Sequence, residues 1–184
     1  MLFFNSYTSS NYNNRDLIDC YYEKIIKVSR QKQFYTKLMV PDTIDGRFDL
    51  LILFSIILTF FLIRTGEEGQ KLSQILFDKI FLDLDLSLRE MGAGDTGVHI
   101  KIKKMINSYM GRQKFYMQCL EKKDFSTLKI HIIKNVYRNV ENSDYLPQLL
   151  TNYCQLCFEV LEEIPEGYLL TNKFEFPEYK QDVN

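Results

Sequence analysis

Residues 77–112 read FDKIFLDLDLSLREMGAGDTGVHIKIKKMINSYMGR, and inside them Gly92-Ala93-Gly94-Asp95-Thr96-Gly97 fits the dinucleotide-binding pattern G-x-G-x-x-G letter for letter. A Rossmann loop of that form follows a buried strand, so that its turn delivers a helix N-terminus to the pyrophosphate. Here the loop follows residues 69–91, where Leu72, Ile75, Leu76, Ile80, Leu84 and Leu88 recur at helical steps. The acidic residue that should hold a ribose about 20 positions later has only Glu121 as a candidate, within a basic helical segment. The glycines therefore read as a helix C-cap at Gly92, a short link, and a new helix capped by Asp95 or Thr96.

Charge changes sign across that link. Residues 67–95 hold seven acids and three bases, whereas 101–123 hold seven bases and Glu121 as the lone acid. The formal net charge of the whole chain is −1, so its total names no strongly charged partner. Two neighbouring helices with complementary solvated faces explain the pattern. The alternative is a membrane-surface, nucleic-acid or ribosome-binding module using the basic helix 101–123. Ile102, Met105, Ile106, Tyr109 and Met110 interleave with the lysines at helical spacing and read as core.

Outward from this stretch, LLILFSIILTFFLI at 50–63 is the most apolar segment. A membrane span needs about 20 apolar residues. This run of 14 residues reaches about 21 Å as a helix, and Arg47, Asp49 and Arg64 bound it. A helix apolar on all sides must be enclosed by others, so the run reads as the buried centre of a bundle. Amphipathic helices are expected around it at about 14–38, 69–91, 98–122, from Asp124 or Ser126 to about 136, and 145–163. In the last, Leu149, Leu150, Tyr153, Leu156, Val160 and Leu161 should face inward. Pro41 bars a helix in the link 39–46. Residues 1–13 read as a flexible arm, 14–164 as one all-α bundle-like domain of about six helices, and 165–184 as an extended tail.

Catalytic constellations are absent from the pattern. Asp78, Asp83, Asp85 and Glu90 fall on two helix faces, because residues two apart point about 200° away from each other. They cannot converge on a metal from one helix, and salt links to Lys79, Arg89 and the basic helix are expected instead. Neither a nucleophile elbow, a Walker loop, an H-E-x-x-H helix nor a ferritin-like Glu-x-x-His occurs. His99 and His131 have no nucleophile constellation around them. Cys154 and Cys157 form a lone CxxC in an apolar helical run, which reads with Cys20 and Cys119 as core thiols of a reduced compartment. The N-terminus lacks the basic and apolar regions of a signal peptide. A nucleotide- or metal-dependent small-molecule enzyme is thus the third reading; the expected cofactor is none and the expected metal is none.

Three ordered blocks carry a resemblance: Val40-Pro-Asp-Thr-Ile-Asp-Gly-Arg-Phe-Asp-Leu50, then Leu76-Phe-Asp78 through Asp83-Leu-Asp85 to Leu88–Asp95, then Lys103-Lys-Met105 to Tyr109-Met-Gly-Arg112. Together they resemble the ubiquinol–cytochrome c chaperone family, assembly factors of respiratory complex III, over roughly residues 20–160. The Asn, Ile, Lys and Tyr bias suits a bacterial member. The resemblance implies a non-enzymatic helper that binds newly made cytochrome b, or another apolar membrane-protein client, and hands it into the complex. Mitochondrial relatives do this on the matrix side of the inner membrane, near the ribosome and with a small partner subunit. For this chain it implies the bacterial cytoplasm, peripheral on the inner membrane, with no specific DNA binding. The implied partner surface comprises Asp83, Asp85, Arg89, Glu90, Asp95, Lys103, Lys104, Tyr109 and Arg112.

Overall fold

The computed structural model describes residues 14–92, 94–138 and 144–180, and these form helices and connecting segments with no strand among them. In chain order the helices are α1 (Asn14–Ser29), α2 (Lys32–Thr36), α3 (Ile44–Arg64), α4 (Glu67–Glu90), α5 (Asp95–Glu121), α6 (Phe125–Asn135), α7 (Tyr145–Glu162) and the single turn α8 (Glu166–Leu169). Six of them run to 11 residues or more, in line with the expected number. The expected arm at 1–13 lies outside the described residues.

The apolar run becomes α3, and α1, α4, α5 and α7 pack around it. It is long and apolar enough to cross a membrane by composition, yet 89% of its most apolar window is buried inside the protein. Burying a Leu, Ile or Phe side chain contributes about 1.5–3 kcal/mol, and α3 buries almost every residue from Phe48 to Leu62. It starts where Thr43 accepts a hydrogen bond from the Gly46 amide at 3.1 Å, a side-chain N-cap just past Pro41. The turn from α3 into α4 is close: a Cβ at Gly69 would collide with the Leu62 carbonyl oxygen.

Local differences from the expected boundaries have packing causes. The anticipated helix 14–38 breaks after Ser29. Gln31 turns at φ −58°, ψ 122°, and α2 then sends Phe34 and, beyond it, Leu38 into the core. Phe34 stacks on Phe54 at 5.7 Å and meets Tyr153 at 5.3 Å, contacts that a straight α1 would not reach. Asp124 caps α6, accepting from the Thr127 amide at 2.9 Å; the Thr127 hydroxyl and then that amide bond hold its carboxyl below the usual range. Met110 and Leu156, expected inside, are exposed. Each sits on the outer face of its helix, where the apolar repeat continues past the part that a neighbour covers.

After α8 the chain runs extended along α1 and α7. Lys24 donates to the Phe174 carbonyl, Tyr153 to that of Pro177, and the Tyr179 amide to Gln31 Oε1 at 2.8 Å. Phe174 and Tyr179 are buried, and Phe176 meets Phe54 edge-on at 6.1 Å. The tail thus supplies part of the lid over α3.

Candidate functional site

Asp49 is the one acid buried on the apolar helix, with its side chain 1% exposed. Arg112 of α5 places Nη1 2.7 Å from Asp49 Oδ1, and Arg138, just beyond α6, donates from Nη2 to Oδ2 at 2.9 Å. Arg138 also reaches toward Asp45, at 3.9 Å. Arg112 lies over the Phe48 ring, 5.9 Å from its centroid, which suits a planar, weakly hydrated cation. The Arg112–Asp49 contact is close in distance but poorly aligned, so Nη1 and Oδ1 satisfy no well-directed hydrogen bond. Burial pushes the Asp49 carboxyl up to about 6, against the pull of Arg112 and Arg138. Three elements are tied by this cluster: the start of α3, the middle of α5 and the end of α6.

The second cluster sits at the α4–α5 elbow. Gly92, at φ 85°, ends α4 in the left-handed conformation that glycine tolerates, its amide donating to the Arg89 carbonyl at 2.9 Å. Gly94 occupies the N-cap of α5 without a side-chain cap, so the expected Asp95 or Thr96 cap gives way. Asp95 instead takes Arg89 Nη1, while Arg89 Nε bonds Asp85 at 2.9 Å. Arg89 therefore staples the last turn of one helix to the first turn of the next.

The nine residues of the implied partner surface fall into four settings. Asp85, Arg89 and Asp95 meet at the elbow, and Glu90 is exposed beside them. Asp83 is half-buried and accepts from the Tyr22 hydroxyl of α1 at 2.5 Å. Lys103 and Lys104 are exposed on α5. Tyr109 and Arg112 point inward: Tyr109 is buried against Phe77 and Phe81, and Arg112 holds Asp49. These two shape the interior and present little surface. Lys79 pairs with Asp19 of α1 at 3.0 Å, not within its own helix.

Sequence reasoning missed an apolar row beside the elbow. Leu82 is 60% exposed, Leu86 51% and Met91 58%. Leu82, Asp85, Leu86 and Arg89 are spaced three or four apart and share one face of α4, opposite the buried Leu72, Leu76, Ile80 and Leu88. The signal was present, since Leu82 and Leu86 fall two positions off the buried repeat. Arg138 was also missed, because nothing in a lone arginine past a helix end marks a buried acid as its partner.

Other groups offer little chemistry. Cys154 and Cys157 are buried on α7, and burial pushes both thiols up, Cys157 to about 12, far from the thiolate that metal or redox work requires. His131 stacks on Phe115 at 5.1 Å, and burial, with help from Lys134, lowers its pKa. No group of three or more His, Cys, Asp or Glu that could hold a metal occurs among the described residues. The glycine loop joins two helices, with no strand leading into it.

The family model described as ubiquinol-cytochrome C chaperone matches residues 36–176. A crystal structure described as the Cbp3 homolog from Brucella abortus is similar at a TM-score of 0.79 and 30% sequence identity, over 90% of this chain and 91% of that one. No curated protein matches the chain.

Proposed function

The chain belongs to the ubiquinol–cytochrome c chaperone family, and from that premise we propose that it is a non-enzymatic chaperone that binds newly made cytochrome b and promotes assembly of ubiquinol–cytochrome c reductase. The observation that carries this reading is the α4 face. Leu82 and Leu86, one turn apart, stand exposed beside Asp85 and Arg89, with Asp95 bridged to Arg89. Contiguous exposed apolar side chains rimmed by charge mark an interaction surface, and an apolar membrane-protein segment is the partner chemistry that such a row suits. Arg89 bridges α4 and α5 beside this face, and the packing of Tyr109 on Phe77 and Phe81 holds the two helices together. Asp83, Glu90 and Lys103 lie on the polar parts of the same two helices, Lys104 lines the recess between α5 and the start of α3, and Tyr109 and Arg112 hold the helix spacing from within.

The same reading places the protein in the bacterial cytoplasm, against the inner-membrane face where its client emerges. Affinity purification from gently solubilised membranes tests it. Cytochrome b should co-purify with the wild-type chain and be lost with Leu82→Glu/Leu86→Glu. Recovery of other proteins with no cytochrome b would contradict it.

A further inference from the structure

A groove runs along the side of α5 away from the elbow face. Its wider part encloses about 540 Å³ between α5, the start of α3 and Arg138. Its narrower part encloses about 250 Å³ between α5 and α6. The two share Ser108 and Arg112, so they form one channel. It follows α5 from Gly97 to Phe115, about 27 Å at 1.5 Å per residue.

The wall of this channel has a definite register. Gly97, Lys101, Lys104, Ser108, Gly111 and Phe115 line it at steps of four, three, four, three and four. That is the spacing by which one helix presents a seam to another. Small residues in the middle admit a close backbone: a Cβ at Gly111 would meet nothing within 4 Å. Exposed apolar side chains, Ile100 and Phe115, stand near the two ends.

The charge is one-sided. Lys101, Lys104, Arg112, Lys134 and Arg138 line the channel against two acids, Asp45 and Asp49. Both acids are already engaged by arginine. Lys101, Lys104 and Lys134 make no ion pair among the described residues. On a chain of net charge −1, this is a concentrated positive lining.

We infer that the α5 groove is a docking site for an acidic amphipathic helix of a protein partner, separate from the apolar α4 face. Acids one turn apart on the incoming helix meet Lys101 and Lys104. Its small or apolar side chains pass over Ser108 and Gly111 to pack between Ile100 and Phe115. A bilayer surface is the weaker match, because the cations line a recess between α5, the start of α3 and α6 instead of a projecting face. The inference does not depend on the client reading above, since a helix rich in carboxylates is a different partner from an apolar membrane segment.

Site-specific photo-crosslinking tests it in the full chain. p-Benzoylphenylalanine replaces Phe115, an exposed aromatic at one end of the groove, in cells whose own copy is deleted, and the crosslinked peptide is mapped by mass spectrometry. The expected product is one protein segment of helical periodicity with an excess of Asp and Glu. Its yield should fall at least roughly tenfold with Lys101→Glu/Lys104→Glu, and stay unchanged with Leu82→Glu/Leu86→Glu. Should the double charge reversal fail to fold by circular dichroism, Lys101→Gln/Lys104→Gln supplies the same comparison. Crosslinks to lipid alone, to a segment without acidic excess, or with a yield indifferent to the lysines would overturn it. So would the absence of any crosslink from a folded chain. Reductase levels in the same cells separate the two readings. Normal levels without the chain remove the assembly role and leave the groove standing, whereas a chain-dependent level with no acidic-helix crosslink removes the groove alone.

Discussion

Arg112 brings Nη1 to 2.7 Å from Asp49 Oδ1 inside the bundle, so the most apolar helix of the chain carries a buried charge pair on its first turns. Moving two ions out of water costs several kcal/mol each, and their attraction does not reliably offset it. Breaking the pair is worse than never having it. Arg112→Met should lower unfolding free energy by about 3 kcal/mol in urea titration at neutral pH. Asp49→Leu/Arg112→Met should recover most of that loss, because Arg138 is half-exposed and can turn to solvent. A double variant as unstable as the single one would show that the pair itself stabilises the fold.

The pH dependence of stability carries a sign that follows from Asp49. Its carboxyl titrates near 3.8 in a model peptide and is raised to about 6 in the fold, mainly by burial. Between those values the native state binds more protons than the unfolded one, so the slope of unfolding free energy against pH is negative. Asp49 therefore contributes stability that is fully present below the unfolded pKa and lost as pH rises through about 6. Asp49→Asn should flatten that decline between pH 4 and pH 6.5. Parallel profiles for the two proteins would place the titration elsewhere.

Two glycines should respond in opposite directions. Gly69→Ala places a Cβ against the Leu62 carbonyl and the Thr65 hydroxyl at the tight α3–α4 turn, and should lower Tm by about 5 °C or more, the scale of a loss of about 2 kcal/mol in a chain of this size. Gly111→Ala sits in a helix with open space around it, and should raise stability by up to about 1 kcal/mol. Differential scanning calorimetry of both variants decides this. A destabilised Gly111→Ala would mean that the groove wall is filled.

Much of this architecture was legible in the chain. The 14-residue run at 50–63 had to be enclosed, the punctuation at Pro41, Gly92 and Asp124 placed three boundaries, and the repeat in 69–91 gave the buried face of α4 at Leu72, Leu76, Ile80 and Leu88, while Ile75 is exposed. The break between α1 and α2 was not legible, because no glycine or proline marks it. It follows from the aromatic contacts of Phe34 with Phe54 and with Tyr153 and Tyr179, the last two over 100 positions away. The site divided along the same line. Arg89, Asp85 and Asp95 lie within one short stretch and could be grouped from sequence. The partners Asp49, Arg112 and Arg138 come from three separate segments, so their meeting is a property of the fold.

The elbow separates surface from scaffold. Arg89→Ala removes the link between Asp85 and Asp95 on an exposed side chain, so thermal unfolding should stay unchanged within error. Client recovery should fall, because the apolar face loses the charge that rims it. Leu82→Glu/Leu86→Glu should act more strongly and also leave the melt intact. If either protein unfolded before losing its client, these residues would belong to the core account instead.

The central claim is that this chain assembles ubiquinol–cytochrome c reductase. Its most direct test is the amount of assembled reductase, measured by native electrophoresis and by the cytochrome b absorption of membranes. Cells lacking the gene are compared with cells complemented by the wild type or by Leu82→Glu/Leu86→Glu. The account predicts low reductase in the deletion, restoration by the wild type, and failure of the variant at equal protein level, with other respiratory enzymes unaffected. Full reductase in the deletion would contradict it.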